Sequence, residues 1–135
     1  MFKLFQDVKN MTAEFRDPII RTAPLPRDCN NNGDIFGGWV LSQMDIAGGV
    51  IAARRAKGRV VTVAVEAMTF HQPIKTGDVV SIYGDIIKIG RTSMHIKLTT
   101  IVARKLDPAE IKVTEGTYIF VAIDEEGNPR EVPTE

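Results

Sequence analysis

One stretch, Trp39–Lys57, constrains most of what this chain can fold into. Its sequence, WVLSQMDIAGGVIAARRAK, puts apolar residues around nearly the whole circumference of a helix. A helix without a polar face has to be buried on most sides. Gly58 supplies its stop, and Arg54, Arg55 and Lys57 bring cations to the negative end of the helix dipole. Everything that follows reads as strand. Arg59–Phe70 is rich in β-branched residues, with Val61, Val63 and Val65 alternating against Thr62, Ala64 and Glu66. Lys75-Thr76-Gly77-Asp78 turns the chain into Val79–Ile89, and Gly90-Arg91 turns it again into Thr92–Arg104. The Leu106–Glu110 loop leads to a last strand, Ile111–Ile123, and Asp124–Glu135 reads as a polar tail. A short strand within Pro18–Leu25 precedes the helix. The expected fold is α+β, a five-stranded antiparallel sheet wrapped around one long central helix. The short links leave no room for repeated parallel crossovers. Such a sheet keeps two open edges, so a homodimer is expected.

The 135 residues fit a single domain over 18–135, preceded by an N-terminal extension over 1–17. In that extension Phe2, Phe5, Val8, Met11 and Phe15 recur at helical spacing, among polar positions of mixed charge. The mixed charge favours packing on protein over binding to anionic lipid. Seventeen basic and seventeen acidic residues cancel, which argues against a nucleic-acid partner. No apolar run approaches the roughly 18 residues of a membrane span, so no membrane insertion is expected. The single cysteine, Cys29, allows neither an intramolecular disulfide nor a Cys-based zinc site, and suits the reducing cytoplasm.

Asp45 is the most unusual residue, a carboxylate inside an otherwise apolar helix, and a buried carboxylate needs a partner or a task. Gly48-Gly49, one turn on, cost the helix roughly 2 kcal/mol relative to two alanines. Two readings stand side by side. The glycines open a groove for a substrate beside a catalytic Asp45, or they permit close packing while Asp45 accepts a hydrogen bond from a neighbouring strand. The helix entrance is the second candidate: Asn30, Asn31, Asn32, Gly33 and Asp34 lead to Gly37-Gly38. First-turn amides lack intrahelical partners and lie at the positive end of the dipole, so uncovered they can bind a carbonyl oxygen as an oxyanion hole. Asp34 is either a capping carboxylate or part of the chemistry. The glycine pair matches neither dinucleotide-binding nor P-loop spacing. Ser42 has no nucleophile-elbow context. His71 and His95 are isolated, so no metal is expected. The basic cluster of Arg54, Arg55, Lys57 and Arg59, with Arg91 in a hairpin, is either a solvated face or a phosphate contact.

The segment NNNGDIFGGWVLSQMDIAGG, followed by GRVVTVAVEAMTFHQPIKTGDVV, closely resembles the hotdog-fold acyl-CoA thioesterases of the YciA type. The similarity runs from about Ile20 to Pro133. It implies a long helix wrapped by a five-stranded sheet, back-to-back dimers, commonly a trimer of dimers, and hydrolysis of acyl-CoA to free acid and CoA without a metal or added cofactor, coenzyme A being part of the substrate. By position, the catalytic carboxylate of the motif falls on Asp45, as general base on water or as direct nucleophile. The carbonyl-binding amides fall on Gly37 and Gly38. Asp34 falls where related enzymes place an Asp or Asn facing the catalytic carboxylate across the dimer, with Asn30 in the same loop. Arg59 and the turn Gly90-Arg91-Thr92-Ser93 match CoA-contacting positions. Two other readings remain open: a hotdog hydratase or dehydratase, for which the helix and its entry loop lack a histidine, and a non-catalytic acyl-CoA-binding module.

Overall fold

A computed structural model describes residues 17–104, 106, 107 and 109–135. The amphipathic segment expected at the N-terminus lies outside them. The chain forms β1 (Ile20–Thr22), a single 3-10 turn at Pro26–Asp28, α1 (Gly37–Ala56), β2 (Val60–Phe70), β3 (Asp78–Ile89), β4 (Ser93–Arg104) and β5 (Glu110–Ala122). The strands make one antiparallel sheet in the order β1-β3-β4-β5-β2, so β1 and β2 are its edges. The hotdog arrangement expected from the sequence is present, with each boundary within a residue or two of its expected place save β1, which keeps only three residues of Pro18–Leu25.

Helix α1 lies on the sheet through Val40, Met44, Ala47, Gly48, Ala52 and Ala56, a stripe at spacings of three and four residues. Facing it are Ile82, Met94, Ile96, Leu98, Tyr118, Phe120 and Ala122, all almost fully buried. At Gly48 the approach is so close that a Cβ would stand 2.8 Å from the Phe120 ring and 3.0 Å from Leu98. The helix is not buried on most sides within one chain, as its composition predicts. Its outer face stays open, with Ile46 half exposed. Strand β2 shows the same thing: Val61, Val63 and Val65 point to solvent, while Thr62 and Ala64 are the partly buried set.

The helix stop also differs from expectation. Lys57, not Gly58, takes the left-handed conformation (φ 54°) that ends α1. Gly58 instead leaves room for the Arg130 guanidinium, whose Nη2 would stand 2.6 Å from a Cβ there and would have to shift. Arg130 Nη2 donates to the Ala56 carbonyl at 2.8 Å, satisfying one of the helix's terminal acceptors. The polar tail is thus a strap over the helix end. Among the described residues no helix is long and apolar enough to cross a membrane.

Candidate active site

Asp45 stands at the border between the buried stripe of α1 and its open face, and is partly exposed. The Thr62 hydroxyl donates to its Oδ1 at 2.6 Å, reaching across from β2. The strand-to-carboxylate bond anticipated by the structural reading of Asp45 therefore exists, and it leaves Oδ2 without that restraint. Below the same turn, the Tyr118 hydroxyl donates to the Leu41 carbonyl at 2.7 Å, fixing the helix one turn ahead of Asp45. Burial, with the negative charge of Asp45 added, pushes the Tyr118 phenol up to about 12 from an ordinary 10.0. A neutral phenol is a fixed donor throughout the working pH range. The Gly48-Gly49 pair serves two ends: Gly48 is filled by Phe120, whereas a Cβ on Gly49 would meet that ring at an ordinary 3.8 Å.

The helix entrance is uncapped. Phe36 is the N-cap residue, no side chain caps the first turn, and no acid lies in it. A Cβ on Gly38 would meet nothing within 4 Å, and one on Gly37 would meet only the Phe70 ring, at 3.8 Å. The capping role considered for Asp34 is therefore wrong. Its carboxylate instead pairs with Lys75 Nζ, and its backbone bridges to Lys75. Asn30 organises this loop: its Oδ1 accepts from the Asn32 amide at 2.9 Å and the Asp34 amide at 3.2 Å, an Asx-type turn. The Ile35 amide donates to the Ile74 carbonyl at 2.8 Å. Asp78, 2 % exposed, braces the opposite loop by accepting from the Lys75 amide and from Arg104 Nε. Cys29 Sγ lies 2.8 Å from the Thr76 hydroxyl and belongs to this scaffold.

The positions that the resemblance matches to CoA contacts gather at the other end of β2. Arg59 donates to the Asp124 and Glu125 carbonyls at 3.1 and 3.0 Å. The Gly90–Ser93 hairpin closes through Gly90 N–H to the Ser93 carbonyl at 2.8 Å, and the carbonyls of Arg91 and Thr92 accept from Val132 and Ala122. Arg91 reaches Glu131 at 3.8 Å with both side chains largely exposed, a contact worth little. So within one chain Asn30, Asp34, Gly37 and Gly38 meet at the Phe70 end of β2, while Arg59 and residues 90–93 meet at its Val60 end. Asp45 is tied to Thr62, near the latter. From Gly38 to Asp45 is seven residues, about 10 Å along the axis.

Thr62, Tyr118 and Lys75 are the neighbours that sequence reasoning missed. Each lies 17 or more residues from the group it holds, and only the folded sheet brings them together. The basic helix end lines a groove of about 370 Å³ with Arg54, Arg55, Lys57, Ile51 and Ile86, where Arg55 meets Glu135 at 3.6 Å. His71 pairs with Glu115 at 3.1 Å, and this bond, helped by Lys112, holds the Glu115 carboxyl below its ordinary 4.5. Among the described residues no three metal-ligating side chains cluster.

The model of the thioesterase superfamily matches residues 32–103. An uncharacterized acyl-CoA thioester hydrolase of Haemophilus influenzae is 48% identical over 120 residues, covering 87% of this chain and 78% of that one. Acyl-CoA thioester hydrolase YciA of Escherichia coli K12 is 46% identical over 122 residues, covering 88% and 92%. Among solved structures, the hexameric thioesterase y2039 of Yersinia pestis superposes with a TM-score of 0.83 at 44% identity, covering 88% and 97%. The hexameric broad-specificity acyl-coenzyme A thioesterase HI0827 gives 0.81 at 47%, covering 88% and 82%.

Proposed function

This chain belongs to the thioesterase superfamily, among its YciA-type acyl-CoA thioester hydrolases, and on that premise we propose that it hydrolyses acyl-CoA to a free acid and CoA at a site shared by two copies of itself. The observation that carries this reading is the pairing of an uncapped, glycine-bare helix entrance with a strand-held carboxylate on the same helix.

In this reading the thioester carbonyl oxygen lies on the Gly37 and Gly38 amides, where charge develops as the carbonyl carbon becomes tetrahedral. Asp45 Oδ2 takes a proton from water as its oxygen attacks that carbon. The C–S bond then breaks, and the proton passes to the departing thiolate, giving acid and CoA. Direct attack by Asp45, through an acyl-enzyme anhydride that water later opens, is the alternative route to the same products. Asn30 and Lys75 position Asp34 beside the entrance. Thr62 orients Asp45. Arg59 and the Gly90–Ser93 turn contact the CoA moiety, and no metal or further cofactor takes part.

Two copies are required by distance. The ~10 Å between Gly38 and Asp45 on one helix is too long for direct attack on a carbonyl held at the entrance. Antiparallel pairing of β2 with its twin would set the Val60 end, with Thr62 and Asp45, beside the partner's Phe70 end and helix entrance. It would also satisfy the unpaired backbone groups of the β2 edge. Hexameric relatives support a trimer of such dimers.

The test is product identity. Purified protein given a short acyl-CoA should release free thiol and free acid in equal amounts. Tight binding of the acyl-CoA with neither product would make the chain a binding module instead, and an acyl-CoA altered along its chain but still esterified would make it a hydratase.

A further inference from the structure

The groove at the end of α1 is used by none of the roles above. It holds about 370 Å³ between Ile51 of α1 and Ile86 of β3, under a rim of Arg54, Arg55 and Lys57, with Glu135 beside Arg55. Ile51 leans over β3 so closely that its Cδ1 would stand 2.5 Å from a Cβ on Gly84. Ile89, 42 % exposed, lies opposite the buried Met94 and so continues the helix-facing side of β3 past the groove. The side chains of Arg54 and Lys57 are exposed and form no ion pair among the described residues. β1 covers only Val80–Ile82 of β3, so Ile86–Ile89 has β4 alone beside it among the described strands. An apolar floor, a cationic rim and an open strand edge thus meet in one place.

We propose that residues 2–15 dock in this groove as an amphipathic helix, burying Met11 and Phe15 against Ile51 and Ile86 and turning Glu14 toward Arg54 and Lys57. The docking is independent of the reaction proposed above. Its tether is in the right place. Continued toward the N-terminus, the register that pairs Ile20 with Ile82 sets Pro18 opposite Gly84 and Asp17 opposite Asp85, next to Ile86. The sixteen residues before Asp17 therefore join the fold at the mouth of the groove. Their chemistry is complementary to it. Phe2, Phe5, Val8, Met11 and Phe15 share one face at helical spacing, and Asp7 and Glu14, two turns apart, lie along one flank of that face. A free anion would satisfy the rim and leave Ile51, Ile86 and Ile89 uncovered. Attachment to β1 holds the segment at an effective concentration on the order of millimolar, an advantage no separate chain has. Docked, it covers the open end of β3 and leaves β2 as the edge for pairing with a second copy.

The experiment is hydrogen exchange on the intact chain, read by mass spectrometry, in wild type, Met11→Asp/Phe15→Asp and Arg54→Glu/Lys57→Glu. Amides of residues 5–15 should exchange about 10-fold or more slowly in wild type than in Met11→Asp/Phe15→Asp, as expected of a docked element against a released one. Arg54→Glu/Lys57→Glu should lose part of that protection, and adding Glu14→Lys should restore it. Unchanged exchange across β4 and β5 reports that the fold persists in each variant. A cross-link supplies the second measurement. In a Cys29→Ser chain, a short bis-maleimide should join Met11→Cys to Ile86→Cys within one chain, and should not join Met11→Cys to Lys112→Cys. Fast exchange of residues 5–15 in wild type, or failure of the first pair to cross-link, would overturn the proposal. So would a cross-link formed only between chains, which gives the groove to a second copy, or slow exchange that appears only with anionic lipid vesicles, which gives the segment to a membrane surface.

Discussion

Thr62 and Asp45 illustrate what one hydrogen bond does for a carboxylate on a helix. A hydroxyl donating to a carboxylate at 2.6 Å is a charge-assisted bond, and in the proposed reaction it leaves Oδ2 to serve the attacking water. Thr62→Val keeps the shape and removes the donor. We expect kcat to fall about 10-fold to 100-fold with KM little changed, matching a charged bond of about 1.5–3 kcal/mol. Thr62→Ser should recover most of the loss. Steady-state kinetics decide it: equal kcat in Thr62→Val would make the bond structural only. Asp45 is legible in the sequence because a carboxylate inside an apolar helix is costly and so conspicuous. Thr62 is not, because a threonine among valines is ordinary strand composition and its partner is chosen by tertiary contact. Asp34 misleads for a related reason: an acid ahead of a helix suits a cap, yet the Asn30 turn directs it to Lys75.

Along whole elements, the pattern of the sequence is sound and its meaning differs. The alternation in β2 is real, yet the valines face outward, because β2 is an edge strand and its inner positions are given to Thr62 and Ala64. Two register shifts, with Ala67 at φ 54°, further bend this strand. The helix shows how two adjacent glycines divide. Gly48→Ala drives a Cβ into Phe120 and Leu98 and should destabilise the protein by about 1–3 kcal/mol. Gly49→Ala meets only ordinary contact and should be neutral or stabilising by up to about 1 kcal/mol, through helix propensity. Denaturant unfolding of the two variants measures the contrast, and equal losses would contradict it. Sequence shows that both glycines are expensive in a helix. It does not show which one the sheet presses upon.

At the scale of the whole molecule, the fold is legible because one apolar helix followed by four linked strands admits few arrangements. The proposed site is legible only in parts, because one chain holds the helix entrance and the Asp45–Thr62 pair toward opposite ends of β2. The half-exposed Ile46 of α1 and the exposed valines of β2 lie on opposite faces of the sheet, and both leave apolar surface that one chain does not bury. Gly38→Pro offers a clean lesion in one half: a first-turn proline fits a helix and removes the amide hydrogen, where a Cβ has open space. Asp45→Asn is the lesion in the other half. In a co-assembled mixture of the two variants half the dimers are mixed, and each mixed dimer keeps one intact site if the site spans the twofold. The decisive measurement is thiol release from butyryl-CoA by each variant alone and by both co-expressed. Asp45→Asn alone should lose about 10²–10⁴-fold and Gly38→Pro about 10²–10³-fold. The co-assembled mixture should return to about a quarter of wild type. Wild-type turnover in Asp45→Asn, or a mixture as inactive as its components, would contradict the account.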